Sequence, residues 1–138
     1  MERGIYKMDI GITGKQTIVV EKPMTAEVVG SGQLPVFATP CMIALMENTA
    51  SGSVAPYLEE GQDTVGTCVR VEHVSATPVG MTVTCETKLT EIDGRRLIFQ
   101  VKACDEAGLI GEGIHERTII NVQRFVERAQ AKRPAESK

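Results

Sequence analysis

Apolar residues change their period along this chain, and the change divides it into a helix and a set of strands. From Val36 to Leu58 the sequence reads VFATPCMIALMENTASGSVAPYL, a run of alanine, methionine and small residues with one charge, Glu47. Thr39-Pro40 opens the run and Pro56 closes it. A threonine oxygen can cap free backbone N–H groups, and proline just inside a helix gives up a donor the first turn does not use, so a helix is predicted from Thr39 to about Ala55. From Gln62 onward the period falls to two. Met81, Val83, Cys85, Thr87 and Leu89 alternate with Thr82, Thr84, Glu86, Lys88 and Thr90, the pattern of a half-buried antiparallel strand.

The same reading extends to the rest of the chain. Between Thr64 and Ala76, Val65, Val69, Val71 and His73 share one face, opposite Cys68, Arg70 and Glu72, and Thr77-Pro78-Val79-Gly80 supplies a turn into the next strand. Asp93-Gly94 marks a tight hairpin into Arg95 to Asp105, where Leu97, Phe99, Val101 and Ala103 line up, and after Glu106-Ala107-Gly108 a last strand runs from Leu109 to about Phe125. Ahead of the helix, Gln16 to Lys22 is β-branched enough for a first strand, and Pro23 to Pro35, with Gly30 and Gly32, reads as a loop able to lie over a site. The expected class is α+β: one strand, a helix and a four-stranded meander, giving an antiparallel five-stranded sheet wrapped around one long central helix.

At 138 residues and 42% hydrophobic content the chain fits one domain, with a core over about 15–126. The charged stretch Arg128 to Lys138, interrupted by Pro134, is expected to be a flexible and dispensable tail. No second layer of helices is available to cover the exposed helix and edge strand, so a homodimer is predicted. A formal net charge of −3 disfavours nucleic acid and anionic membranes as partners. The weakly polar stretch from Val28 to Leu58 is broken by Gly30, Pro35, Pro40, Glu47 and Pro56, too often for a membrane span, and with no signal peptide ahead of it a cytoplasmic location is expected. Cys41, Cys68, Cys85 and Cys104 show no CxxC spacing and read as core residues in a reducing compartment; no metal and no cofactor is expected.

Chemistry is expected where titratable groups enter the apolar pattern. Glu47 is in register with Ile43, Ala50 and Val54 on an apolar stripe, where desolvation would make its carboxylate a usable base. His73 shares the strand face that should meet the helix, and two titratable groups in one interior shift each other's protonation as acid/base sites require. Thr39 is a helix cap by position, and a hydroxyl beside free N–H groups is also a place where a carbonyl oxygen could gain charge. Gly66 either lets a substrate approach the backbone or marks a bulge. His115, within His115-Glu116-Arg117, is read as a charged edge or dimer contact.

These residues carry a resemblance. Val36-Phe37-Ala38-Thr39, Ala44-Leu45-Met46-Glu47, Pro56-Tyr57-Leu58-Glu59, Gly66-Thr67 leading to His73, Ala76-Thr77-Pro78, Gly94-Arg95-Arg96-Leu97 and His115-Glu116-Arg117 occur in an order and spacing similar to the fluoroacetyl-CoA thioesterase-like family of hotdog proteins, over residues 34–125. The resemblance implies a hotdog fold, a dimer with its sites at the interface, and hydrolysis of a small acyl-CoA to free acid and CoA. It implies that Thr39, Glu47 and His73 are catalytic and that Gly66 and Arg117 bind substrate. Val28 to Leu34 (VVGSGQL) departs from it in having no aromatic residue that could narrow the acyl pocket. The expected chemistry is attack on the thioester carbonyl by water or the Thr39 hydroxyl, with His73 and Glu47 deprotonating it and backbone N–H groups holding the oxyanion. A hotdog dehydratase or hydratase, or a non-catalytic acyl-CoA binding module, would use a similar pocket.

Overall fold

A 16-residue helix lies against one face of a five-stranded antiparallel sheet in the computed structural model, which describes residues 7–135. In chain order the elements are β1 (Thr13–Val19), α1 (Ala26–Val29), α2 (Thr39–Val54), β2 (Gln62–His73), β3 (Thr82–Asp93), β4 (Arg96–Asp105), β5 (Gly108–Asn121) and α3 (Val122–Gln130). The sheet order is β1-β3-β4-β5-β2. Only β3, β4 and β5 form a meander; the expected four-stranded meander is wrong because β2 pairs with β5 instead of β3. Val74–Met81 is too long for a tight hairpin and crosses the end of the sheet instead. It is pinned on the way by a Phe37 N–H bond to Thr77 O (2.8 Å) and by Thr77 Oγ1 donating to Asp105 Oδ2 (2.8 Å).

The core lies between α2 and the sheet. Met42, Leu45, Met46, Ala50 and Val54 of the helix are buried against Val83, Cys85, Leu89, Leu97, Phe99, Val101, Ala103 and Ile110. Each of the larger side chains contributes about 1.5–3 kcal/mol by leaving water. The opposite side of α2 exposes Ala44, Asn48 and Gly52, with Glu47 half-buried at the boundary. β1 starts at Thr13, earlier than the expected Gln16, because Gly14 lets the strand close on α2: a Cβ there would lie 2.9 Å from Thr49 O and 2.8 Å from Thr87 Oγ1.

The helix begins where its sequence signals it, but its cap is Ala38, which makes no side-chain hydrogen bond; Thr39 is already helical. The expected capping role of Thr39 is therefore corrected, and its hydroxyl is used elsewhere. The segment expected as a loop carries a 3-10 turn at Lys22–Met24 and the short α1, closed by Gly30 at φ 91°. It folds back through Ala26 N–H to Val36 O (2.9 Å) and leaves Val28, Val29 and Leu34 exposed.

Two strands depart from simple alternation. In β2 the register with β5 shifts between Gly66 and Cys68, so Thr67 is an extra residue. The bulge reverses the side-chain parity: Thr64 and Gly66, not Val65, point to the same side as Val69, Val71 and His73. β5 stops at Asn121 instead of Phe125, since the Asn121 side chain accepts the Arg124 N–H (3.0 Å) and starts the exposed helix α3. That helix carries order through Gln130, into the stretch expected to be a flexible tail. Among the described residues no helix is long and apolar enough to cross a membrane.

Candidate active site

Two clusters of polar side chains break the apolar face of the sheet, and both involve α2. At its first residue Thr39 Oγ1 lies 2.7 Å from His73 Nδ1, at the end of β2. With Nδ1 unprotonated, the ring accepts the threonine proton, which is the spacing a nucleophile and its general base require. His73 Nε2 is buried and has no hydrogen-bond partner. Burial lowers the pKa of His73 from 6.5, the backbone of Ser75 opposing part of the shift, so the ring is neutral at pH 7 and has a free lone pair to take a proton.

The second cluster lies two turns further along the helix. The Glu47 carboxylate faces Arg117, with Oε2 3.7 Å from Nη1. Arg117 is 7% exposed and comes from β5. Its Nε donates to Thr64 Oγ1 (2.8 Å), Nη2 to Thr64 O (2.9 Å) and Nη1 to His115 Nε2 (3.1 Å). Burial lowers the guanidinium pKa, with Glu47 and Asp63 pulling it back up. Gly66 faces the same point: a Cβ there would overlap Glu47 Oε2 and stand 3.2 Å from His115 Cε1. The bulge and the missing side chain together make room for the carboxylate.

Each residue expected to act is thus placed, with three corrections. Glu47 does not meet His73 within the chain, since Thr39 and Glu47 are eight residues and about 12 Å apart along the helix axis. Nor does the single chain desolvate Glu47 by its own packing, since the side chain keeps 40% exposure there. His115, expected at a charged edge or a dimer contact, is fully buried within the chain and stacks on Phe99 with ring centroids 6.3 Å apart. Sequence reasoning missed Thr64 altogether. The bulge at Thr67 hid its facing; the signal for His115 was the alternation Gly111, Gly113, His115, Arg117 on one face of β5, with Glu116 facing out to Arg70 and Arg96 at 3.0 Å each.

Known proteins share the sequence and the fold of this chain. Residues 20–123 match the family model described as fluoroacetyl-CoA-specific thioesterase. A fluoroacetyl-CoA thioesterase from Streptantibioticus cattleyicolor is 44% identical over 100 residues, 72% of each chain. The solved structure of the fluoroacetyl-CoA thioesterase FlK superposes with a TM-score of 0.88 at 36% identity, over 94% of this chain and all of that one. A thioesterase superfamily member from Thermus thermophilus gives a TM-score of 0.80 at 29% identity, over 93% of this chain and 100% of the other. The sheet wrapped on one helix is the hotdog fold, and the chain belongs to the fluoroacetyl-CoA-specific thioesterase family of hotdog hydrolases, enzymes that cleave a small acyl-CoA thioester.

Proposed function

We propose that this protein hydrolyses two-carbon acyl-CoA thioesters, fluoroacetyl-CoA among them, with Thr39, His73 and Glu47 as its catalytic residues and Gly66 and Arg117 lining the acyl end. The observation that carries the reading is the 2.7 Å contact between Thr39 Oγ1 and His73 Nδ1. Thr39 Oγ attacks the thioester carbonyl carbon as its proton passes to His73; the C–S bond then breaks and the proton goes to the departing CoA thiolate. Water, deprotonated by the same ring, hydrolyses the resulting acyl-threonine and regenerates the hydroxyl. Cys41 and Met42 N–H groups are already given to Ala38 O (3.0 Å each) and Pro40 has none, so of the first four helical residues Thr39 offers its N–H to the oxyanion. The acyl size is supported by relatives: variants of FlK were solved with acetyl-CoA and with fluoroacetate and CoA.

The working unit is a homodimer in which the Thr39–His73 half-site of one copy meets the Glu47 half-site of the other. The separation of the halves, the exposure of Glu47 and the open outer edge of β2 support this arrangement. The site then joins an activated nucleophile to a carboxylate held by a cation.

Free thiol released from acetyl-, fluoroacetyl- and longer acyl-CoAs tests the activity. Glu47→Gln is expected to lower kcat about 10²-fold while the protein stays folded. A dehydratase would instead change the absorbance of an enoyl thioester, and a binding module would do neither. Mixing Glu47→Gln and His73→Ala protomers should restore about a quarter of the sites, since half the dimers are mixed and one of their two sites is intact. Wild-type turnover by folded Glu47→Gln would return the carboxylate to a structural role, and no recovery on mixing would place both groups in one protomer's site.

A further inference from the structure

His115 is buried, charged groups lie near it, and the proposed chemistry does not use it. Both of its nitrogens are engaged. Nδ1 faces Cys68 O at 2.9 Å and Nε2 faces Arg117 Nη1 at 3.1 Å. A carbonyl only accepts and a guanidinium only donates, so the proton sits on Nδ1 and the lone pair of Nε2 takes the arginine N–H. The two partners demand one neutral tautomer. The Cys68 carbonyl reaches the ring at the Gly66–Cys68 bulge, where Val69 stands opposite His115.

The consequence falls on Arg117. Thr64 fixes one edge of the guanidinium through Nε and Nη2, and His115 fixes Nη1 from a third direction. A plane held at three points cannot swing, and Nη1 is the atom that faces Glu47 Oε2. An Arg–Glu pair without such anchoring is conformationally diffuse and contributes little. We infer that His115 is a positioning residue for thioester hydrolysis, holding Arg117 so that its Nη1 keeps the Glu47 carboxylate in place. This rests on the assignment of Glu47 to the active site.

The groups facing the ring are Arg117 from β5, Phe99 from β4 and the Cys68 carbonyl from β2, while Glu47 of α2 acts on it at longer range and Glu116 acts from the opposite face of β5. Burial lowers the pKa of His115, the Cys68 carbonyl opposes the shift and Arg117 adds to it. A proton on Nε2 would point at the Arg117 Nη1–H, donor against donor, so the arrangement belongs to the neutral ring.

Two substitutions separate positioning from packing in the full-length protein. His115→Asn can still donate to Cys68 O but ends short of Arg117, whereas His115→Gln carries an acceptor to the place of Nε2. Expected are a fall in kcat of about 10²-fold for the asparagine variant with KM near wild type, and recovery of about tenfold or more by glutamine. In an Arg117→Lys background the asparagine substitution should add less than about threefold, because the two residues act as one unit. A folded His115→Asn protein with wild-type kcat would overturn the inference. So would equal losses in both variants that follow only the melting temperature, or full multiplication in the lysine background. Should neither variant fold, ¹⁵N shifts of the wild-type imidazole decide: an Nδ1–H neutral ring at pH 7 is expected, and an Nε2–H or charged ring overturns it. Absence of CoA release by wild type would reject the hydrolase reading, which the tautomer measurement distinguishes from failure of this one.

Discussion

Gly66→Ala is the substitution for which the site makes its sharpest statement. The backbone of Gly66 is not in the left-handed region, so alanine adds no strain of its own, and a strand tolerates a methyl better than a glycine. The new Cβ would overlap Glu47 Oε2, stand 3.2 Å from His115 Cε1 and 3.4 Å from Arg117 Nη1. The first of these is the free end of a flexible side chain with 40% exposure, and it yields by moving about 1 Å, taking the carboxylate out of the 3.7 Å approach to Arg117. Stability should change by about 1 kcal/mol or less, while kcat falls about 10²-fold. Gly113→Ala is the control, because its Cβ would overlap Arg70 O and stand 2.7 Å from Val71 Cα, backbone that cannot move without breaking the β2–β5 pairing. That variant should lose about 3 kcal/mol. Thiol release measured beside thermal melts reads both effects. Wild-type kcat in folded Gly66→Ala, or destabilisation matching Gly113→Ala, would refute the steric account.

Other expectations come from the same geometry. Thr39→Ala removes no cap, since Ala38 holds that position, so its melting temperature should stay near wild type while kcat collapses; Thr39→Ser should keep a measurable rate, and a stability loss of about 1 kcal/mol with normal turnover would restore the capping role. Both described histidines have pKa values lowered from 6.5 by burial, so between those lowered values and 6.5 the unfolded chain binds more protons than the folded one. Their contribution to stability is complete above about pH 6.5 and is lost as pH falls through the folded values; a pH series of melts should show this, and His115→Gln should flatten it. Truncation after Arg128 should leave kcat/KM within about twofold, since α3 is exposed throughout; loss of activity in that variant would give the tail a role.

Periodicity and punctuation carried the helix, the hairpin at Asp93-Gly94 and the inward faces of β3 and β4, because those depend on neighbours a few residues apart. They could not carry the pairing of β2 with β5. Alternation says which face a side chain joins and is silent about which strand lies alongside. The bulge at Thr67 shows the same limit at one position: an added residue changes no composition, yet it moves Thr64 and Gly66 to the helix side and Val65 away from it. His115 was misread for this reason. Its surroundings are a carbonyl on β2, a ring on β4 and a guanidinium two residues on, and only the register brings them together. Thr39, Glu47 and His73 were legible as polar groups in apolar patterns, but their division into two half-sites depends on the path of β2 across the helix.

That division bears on why an otherwise uncharged helix keeps one acid. If Glu47 were retained for stability, it would have to compensate the burial of Arg117, whose guanidinium is desolvated by the sheet. Arg117 already makes three hydrogen bonds, two to Thr64 and one to His115, while its approach to Glu47 is an ion pair at 3.7 Å with a carboxylate that is 40% exposed. In the single protomer solvent screens such a pair, and its worth to the folding of that protomer is at most about 1 kcal/mol. The dependence therefore runs mainly the other way. Thr64, His115, the bulge and the bare Cα of Gly66 are arranged around a cation whose loosest partner is the acid, which is the order expected when the carboxylate must be held at a site and not when it is there to hold the fold.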